Sequence, residues 1–176
     1  QSEPSITAAN GKSLVVLVDS RPLAGIAGQR IFGRFGGPSG MFSQNEFCVS
    51  DTNQAAIKSA PQTAMSQSGR ALIVWLDKRS GLRQVWGRWL TSAGALDGSE
   101  FQISQPLTDL QNDQLDISVD TTGRFFVVWL DRNGASPTVK CRWYNADKSA
   151  GGSYSWTPSN GVNISEVAID NLPNGN

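Results

Sequence analysis

Residues 68–89 read SGRALIVWLDKRSGLRQVWGRW, and the chain carries two further copies of this stretch. Residues 122–143 read TGRFFVVWLDRNGASPTVKCRW, and residues 10–35 read NGKSLVVLVDSRPLAGIAGQRIFGRF. The arginines of the closing tripeptides, Arg34, Arg88 and Arg142, lie 54 residues apart. A fixed period of about 50 residues is typical of repeat architectures, in which each unit buries its apolar faces against its neighbours.

Each copy carries signals for four short strands. Runs rich in β-branched and aromatic residues alternate with turns that contain Gly, Asn or Ser, and no segment has the periodicity of a helix. The sequence therefore predicts an all-β fold. The predicted strands are residues 4–9, 13–19, 30–35 and 46–50, then 62–65, 71–77, 84–90 and 100–104, then 115–119, 125–131, 138–144 and 154–156.

These strands predict a single β-repeat domain over residues 1–176, of β-propeller type. Its three four-stranded blades cover residues 4–50, 60–104 and 114–159. Residues 166–176, EVAIDNLPNGN, match the first strand and turn of a fourth unit. Exposed strand edges invite pairing with other strands. We therefore expect that the chain is part of a larger propeller or that further blades or identical chains complete its propeller.

Composition excludes several classes of partner. Lys plus Arg equals Asp plus Glu at 15 each, so no net charge favours nucleic acid, and no apolar run is long enough to span a bilayer. Two cysteines and no histidine leave no zinc site, and no motif indicates a cofactor. Cys48 and Cys141 could pair only if the first and third units touched, and we favour two unpaired thiols.

The recurring phrases resemble a known group of repeats. The pattern G-(R/K)-x-x-(I/V)-V-W-x-D-x-R, then W-G-R-(W/F), then E-F-x-(I/V)-S is similar to the propeller-like repeats of secreted and cell-surface bacterial proteins. The resemblance implies four antiparallel strands per blade and a secreted or cell-surface location. In that group the repeats serve in adhesins, carbohydrate-binding modules and accessory domains of hydrolases. The chain departs from the pattern at Leu17, where the other copies have Trp, and at Lys140-Cys141, where the second copy has Trp-Gly.

Four residues are candidates for ligand binding: Trp86, Arg88, Trp143 and Arg142. Alternation along a strand places Trp86 and Arg88 on one face and Trp89 on the other. Packing between blades explains most of the recurring tryptophans. Aromatic rings also stack on sugar rings, so Trp86 and Arg88 are the pair that we would test for a saccharide site.

An aspartate ends the apolar run of each copy, at Asp19, Asp77 and Asp131, and an arginine follows within two residues. Such a carboxylate is expected to accept turn N–H groups or to pair with the recurring Arg34, Arg88 and Arg142. A ring of carboxylates that binds a metal or sugar hydroxyls is the functional alternative. No EF-hand loop is present, so we expect no metal.

Catalysis has little support in the sequence. Without histidine, no Ser-His-Asp or Cys-His pair can form, and the Asp-box of sialidases is absent. Carboxylates such as Asp77, Asp131, Glu46 or Glu100 could still assemble as a glycosidase pair. The sequence therefore predicts no enzyme but a non-catalytic extracellular scaffold or interaction module. The alternative is a lectin-like propeller that binds cell-surface glycans between its blades.

Overall fold

A computed structural model gives the fold of this chain. It describes residues 2–22, 27–39, 41–42, 45–51, 56–105, 114–132, 136–158 and 164–171. These residues form strands, turns and irregular segments, and they contain no helix long and apolar enough to cross a membrane.

Three four-stranded antiparallel sheets make up the fold, as the sequence predicts. We call them blades 1, 2 and 3, and in each the strands follow chain order across the sheet. Blade 1 contains β1 (Ser2–Ala9), β2 (Lys12–Asp19), β3 (Arg30–Gly36) and β4 (Phe47–Cys48). Blade 2 contains β5 (Lys58–Met65), β6 (Ala71–Asp77), β7 (Gln84–Leu90) and β8 (Leu96–Gln102). Blade 3 contains β9 (Leu115–Val119), β10 (Phe125–Asp131), β11 (Thr138–Tyr144) and β12 (Ala150–Trp156).

The first strand of each blade lies at the inside of the arrangement. β1 packs against β5, and β5 packs against β9, whereas the last strands lie outermost. Residues 164–171 lie beside β9, where Ile169 N donates to Asp116 Oδ2 at 2.9 Å and Asn171 Nδ2 donates to Ser118 Oγ at 2.7 Å. Residues 172–176 of the predicted fourth unit lie outside the described residues.

An apolar core lies between each pair of neighbouring blades, and β6 contributes side chains to both cores. Ile73 and Trp75 of β6 pack in the core shared with blade 1, while Leu72 and Val74 pack in the core shared with blade 3. All seven residues of β6 are buried. This is why ALIVWLD reads as a continuous apolar run: a central strand covered on both faces needs no polar side.

The hairpins use the turn chemistry that their sequences suggest. Ala9 pairs with Lys12, so Asn10 and Gly11 alone connect β1 to β2, with φ of 51° and 68°. A two-residue turn with both φ values positive matches the right-handed twist of the flanking strands, and Asn-Gly is the pair that adopts it most readily. The turn therefore fixes the register in which the apolar residues of β2 face blade 2.

Candidate functional site

Two equivalent grooves lie between neighbouring blades. The first, which we call groove 1, lies between blades 1 and 2 and has a volume of about 480 Å³. The second, groove 2, lies between blades 2 and 3 and has a volume of about 380 Å³. Volumes of this size are within the range of small-molecule sites in proteins.

The recurring arginines tie each groove to the preceding blade. Arg88 donates from Nη1 to the carbonyl oxygen of Val49 in blade 1 at 2.8 Å, and Arg142 donates to Ile103 of blade 2 at 3.0 Å. Both bonds join residues 39 positions apart, so the contact repeats with the blades. Because each guanidinium bridges two blades, it forms one wall of the groove between them.

Groove 1 mixes cationic, anionic and aromatic groups. The guanidinium of Arg79 lies over the ring of Trp86, 4.0 Å from its centroid, and binds Glu100 Oε2 at 2.6 Å. Glu100 also accepts the backbone N–H of Asp51, from the end of blade 1. The groove is lined by Cys48, Ser50, Asp51, Arg79, Trp86, Arg88, Leu96, Ser99 and Glu100.

Two buried nitrogens of residues that line groove 1, Arg79 Nε and Trp86 Nε1, have no hydrogen-bond partner among the described residues. The indole Nε1 of Trp86 is shielded from water and finds no hydrogen-bond acceptor among the described residues. A buried N–H without a partner costs free energy, so native proteins seldom keep one. The indole nitrogen is closed off from solvent, so a ligand oxygen in the groove would satisfy it once the indole or the covering Arg79 had shifted.

Behind groove 1 lies a buried charge cluster centred on Asp77. Its carboxylate accepts the backbone N–H of Arg79 at 2.9 Å, binds Arg79 Nη2 at 2.6 Å and lies 3.6 Å from Lys58 Nζ. Trp75 Nε1 donates to it as well, at 3.1 Å. Burial alone raises the pKa of Asp77, but the Arg79 hydrogen bond and the charges of Lys58 and Arg79 outweigh it and hold the pKa below its usual range. The cluster fixes Arg79, which in turn positions Glu100 and covers Trp86.

Groove 2 has the same position but different chemistry. Lys140 replaces Trp86, and the register places Ser153 opposite Arg142 and Ser155 opposite Lys140. Lys140 Nζ pairs with Asp131, the counterpart of Asp77. Its lining includes Gln105, Trp129, Lys140, Arg142, Ser153 and Ser155.

The structure brings together only part of the predicted ligand set. Trp86 and Arg88 both line groove 1, and Arg142 lines groove 2. Trp143 does not join them. It stacks on Phe126, with ring centroids 6.4 Å apart, on the face of blade 3 that points away from blade 2. Neighbouring residues of a strand point to opposite faces, so Arg142 and Trp143 cannot line one groove.

Two roles were predicted for the strand-end aspartates, and the structure shows the first of them, the acceptance of turn N–H groups. Asp19 and Asp77 accept the backbone N–H of the residue two positions later, at 2.8 and 2.9 Å. They pair with the nearby Arg21 and Arg79, whereas Arg88 and Arg142 bind backbone carbonyls instead. Glu46 and Glu100 extend the two clusters, because each binds the same arginine as its aspartate.

Several residues of the grooves were missed by the sequence reasoning. Asp51 and Ser50 reach groove 1 from the neighbouring blade, and a strand pattern carries no information on which blade faces which. Arg79 follows the strand in the same position as Arg21, so the repeat could have indicated its pairing but not its place over Trp86. Cys48 and Cys141 are both unpaired, as we favoured from the sequence.

Comparisons with known proteins bear on the fold. No protein-family model matches the chain, and a search of curated proteins finds no match. Among solved structures, a candidate glycoside hydrolase from Bacteroides ovatus ATCC 8483 gives a TM-score of 0.51 at 10% identity, over 84% of this chain and 47% of that one. A second candidate glycoside hydrolase, from Parabacteroides distasonis ATCC 8503, gives 0.48 at 12% identity, over 84% and 51%. A third structure, from a study of glycoside hydrolases of the GH130 mannoside phosphorylase family that target β-1,2 mannosidic linkages, gives 0.44 at 12% identity, over 84% and 50%.

This chain therefore spans about half the length of the structures it matches. At such low identity the similarity shows the fold alone, and the three sheets are a part of a β-propeller. The narrower resemblance to repeats of secreted bacterial proteins gains no support from a family model.

Two predictions from the sequence are wrong. The chain was expected to be a non-catalytic scaffold and not an enzyme, whereas the solved structure that it matches with a TM-score of 0.51 is of a protein described as a candidate glycoside hydrolase. The expectation gave too much weight to the missing histidine. Glycoside hydrolysis uses a pair of carboxylates, so a chain without histidine loses nothing that this chemistry requires.

Proposed function

We propose that this chain is part of a carbohydrate-processing protein and that groove 1 binds a saccharide. The observation that carries the proposal is the unpartnered indole N–H of Trp86 in a groove that also presents carboxylates and a guanidinium. Each sugar hydroxyl both donates and accepts hydrogen bonds. A wall in which Asp51 and Glu100 accept while Trp86 and Arg88 donate is complementary to such a ligand.

The manner of binding differs from the stacking that the sequence suggested. Arg79 already lies over the ring of Trp86, so this face is not free for a sugar. The indole instead contributes its N–H, and the recognition is mainly by hydrogen bonds. Arg79 orients Glu100 through a 2.6 Å contact, which fixes one acceptor before the ligand arrives.

The proposal for catalysis concerns the whole protein. Groove 1 holds two carboxylates, Asp51 and Glu100, and glycoside hydrolysis proceeds between two such groups. Asp77 and Asp131 are buried in ion pairs, and Glu46 lies on blade 1, outside both grooves. We therefore propose Asp51 and Glu100 as the first carboxylates to substitute in assays of glycoside cleavage.

Replacing Trp86 with phenylalanine tests the saccharide site. W86F removes an N–H that has no partner, so any loss of stability should come only from the smaller ring and its contact with Arg79, whereas a saccharide should lose one hydrogen bond and bind about 2- to 10-fold more weakly. Calorimetric titration with a panel of neutral disaccharides, such as mannobiose and cellobiose, measures the change. W143F, on the far face of blade 3, is the matched control. Equal affinity of the wild type and W86F for every saccharide that binds would overturn the assignment.

The predicted partners and location stay proposals. Tyr154 and Trp156 are 63% and 52% exposed on the outer strand of blade 3. Tyr154 pairs with Cys141 as Phe101 pairs with Gly87, and Phe101 packs against the core shared with blade 3. This correspondence supports a further blade, or an identical chain, covering the same face, and the recurring phrases support secretion. We expect light scattering of the purified chain to give a mass above one chain, and a strictly monomeric particle would contradict association of identical chains.

A further inference from the structure

We infer that groove 2 is a second saccharide site and that it selects sugars bearing a carboxylate, such as uronic acids. The inference rests on the proposed function, since it takes the ligand of this propeller to be a carbohydrate. It is carried by a difference between two grooves that occupy equivalent places in the repeat.

The two grooves differ in charge. The described lining of groove 1 contains two anions, Asp51 and Glu100, and two cations, Arg79 and Arg88, which cancel. At the equivalent places in groove 2 the chain has the neutral Gln105 and Ser153. Its described lining keeps two cations, Lys140 and Arg142, and has no carboxylate.

The positive charge of groove 2 is only partly compensated from behind. Lys140 Nζ pairs with Asp131, whose side chain is 8% exposed and does not line the groove. Arg142 donates one N–H to the carbonyl oxygen of Ile103, and its guanidinium lies over the ring of Tyr144, 5.7 Å from the centroid. Asp131 can balance one of the two cations, so the described residues leave a net positive charge facing the groove.

Hydrogen-bond donors dominate the same walls. Ser153 and Ser155 flank the two cations on β12, and Gln105 faces them from blade 2. The indole of Trp129 is only 4% exposed, and its Nε1 has no acceptor among the described residues. In blade 2 the corresponding Trp75 donates to Asp77. In blade 3 Lys140 pairs with Asp131, and the indole N–H of Trp129 has no acceptor among the described residues.

A carboxylate suits this set of groups. Guanidinium and ammonium groups bind carboxylates through charge-assisted hydrogen bonds, which are about twice as strong as neutral ones. The hydroxyl and amide groups of Ser153, Ser155 and Gln105 can bind the ring hydroxyls of the same sugar. Groove 1, in which the anions and cations cancel, offers an acidic sugar no net attraction and suits a neutral one.

The residues of groove 1 suggest a variant that tests the charge preference of groove 2. Q105D/S153E gives groove 2 the two carboxylates that groove 1 carries at the equivalent positions. We expect the wild type to bind digalacturonic acid more tightly than a neutral disaccharide, and the double variant to lose at least about tenfold in affinity for the acid. Q67D/S68E, in the exposed hairpin turn of blade 2, adds the same two negative charges outside the lining of groove 2 and should bind the acid as the wild type does. Calorimetric titration at low and high salt measures both affinities.

The outcomes separate this inference from the proposed function. If the preference for the acid persists in Q105D/S153E, or if neutral and acidic sugars bind the wild type equally, the inference falls while a W86F effect still supports groove 1. If sodium sulfate binds as tightly as digalacturonic acid, groove 2 is a simple anion site and the saccharide assignment falls. If no saccharide of either kind binds, both proposals are overturned.

Discussion

Replacing Asp77 with asparagine is expected to lower the free energy of unfolding by about 3–5 kcal/mol. The carboxylate is fully buried, and so is Lys58, whose Nζ lies 3.6 Å from it. D77N leaves the ammonium of Lys58 buried without its counter-ion and weakens the contact that orients Arg79. Breaking a buried pair at one partner costs far more than the pair contributes, because the remaining charge stays desolvated.

Two variants isolate this effect. K58M removes the other partner but leaves Asp77 bound to Arg79, so its loss should be much smaller. D19N makes the same substitution at the equivalent place in blade 1, where Arg21, one of the partners of Asp19, is 37% exposed and solvent screens that pair. Urea unfolding followed by circular dichroism measures all three. A D77N loss no larger than that of D19N would contradict the role of the buried cluster.

The pH dependence should change in parallel. The pKa of Asp77 is held below its usual range, so its ion pairs stabilise the fold above the unfolded pKa of about 3.9 and are lost as pH falls through the lower, folded value. Wild-type stability should therefore decline more steeply below about pH 4 than that of D77N, which has no carboxylate to protonate there. Parallel acid titrations of the two proteins would contradict this.

The strands could be predicted because their packing leaves a mark on the sequence. β6 is covered on both faces and reads ALIVWLD. The dipeptide Asn10-Gly11 predicts the two-residue turn that the structure has at this place. β8 was predicted only from residue 100, whereas it begins at Leu96. Its first residues, LDGSE, show no alternation because the outermost strand is held mainly by backbone hydrogen bonds and exposes much of both faces.

Only those residues of groove 1 that lie on one strand of one blade could be predicted from the sequence. Alternation along β7 correctly places Trp86 and Arg88 on one face, and the same rule excludes Trp143 from the groove that Arg142 lines. The partners supplied by the neighbouring blade, such as Asp51, depend on how the blades stack. The stacking of Arg79 on Trp86 depends on Asp77 and Glu100 together, which no single strand pattern reveals.

Truncating Trp89 to alanine is expected to cost about 3–5 kcal/mol, in the range of large aromatic deletions from a core. Trp89 joins blades 2 and 3: its ring meets the edge of Phe125 at 5.0 Å and of Tyr144 at 6.0 Å, both in blade 3. It also stacks on Phe101 of its own blade, with centroids 6.2 Å apart. Each aromatic pair adds about 0.5–1.5 kcal/mol beyond the area that it buries.

The repeat offers a matched control for this variant. Trp143 is the same residue in blade 3, but it is half-buried and packs on Phe126 and the backbone of Gly151 and Gly152, without a described neighbouring blade. W143A should therefore cost about 1–2 kcal/mol, and W89F, which keeps a ring in the core, less than W89A.

Repeat proteins owe much of their stability to contacts between neighbouring units, so W89A should also uncouple blade 3 from blade 2. We expect its urea transition, followed by circular dichroism, to broaden as well as shift to lower urea concentration, because the blades then unfold less cooperatively. Amide hydrogen exchange should show faster opening of β10 and β11 in W89A than in W143A. If the two variants lose the same stability and keep equally sharp transitions, the blade 2–blade 3 core is not the contact that holds this arrangement together.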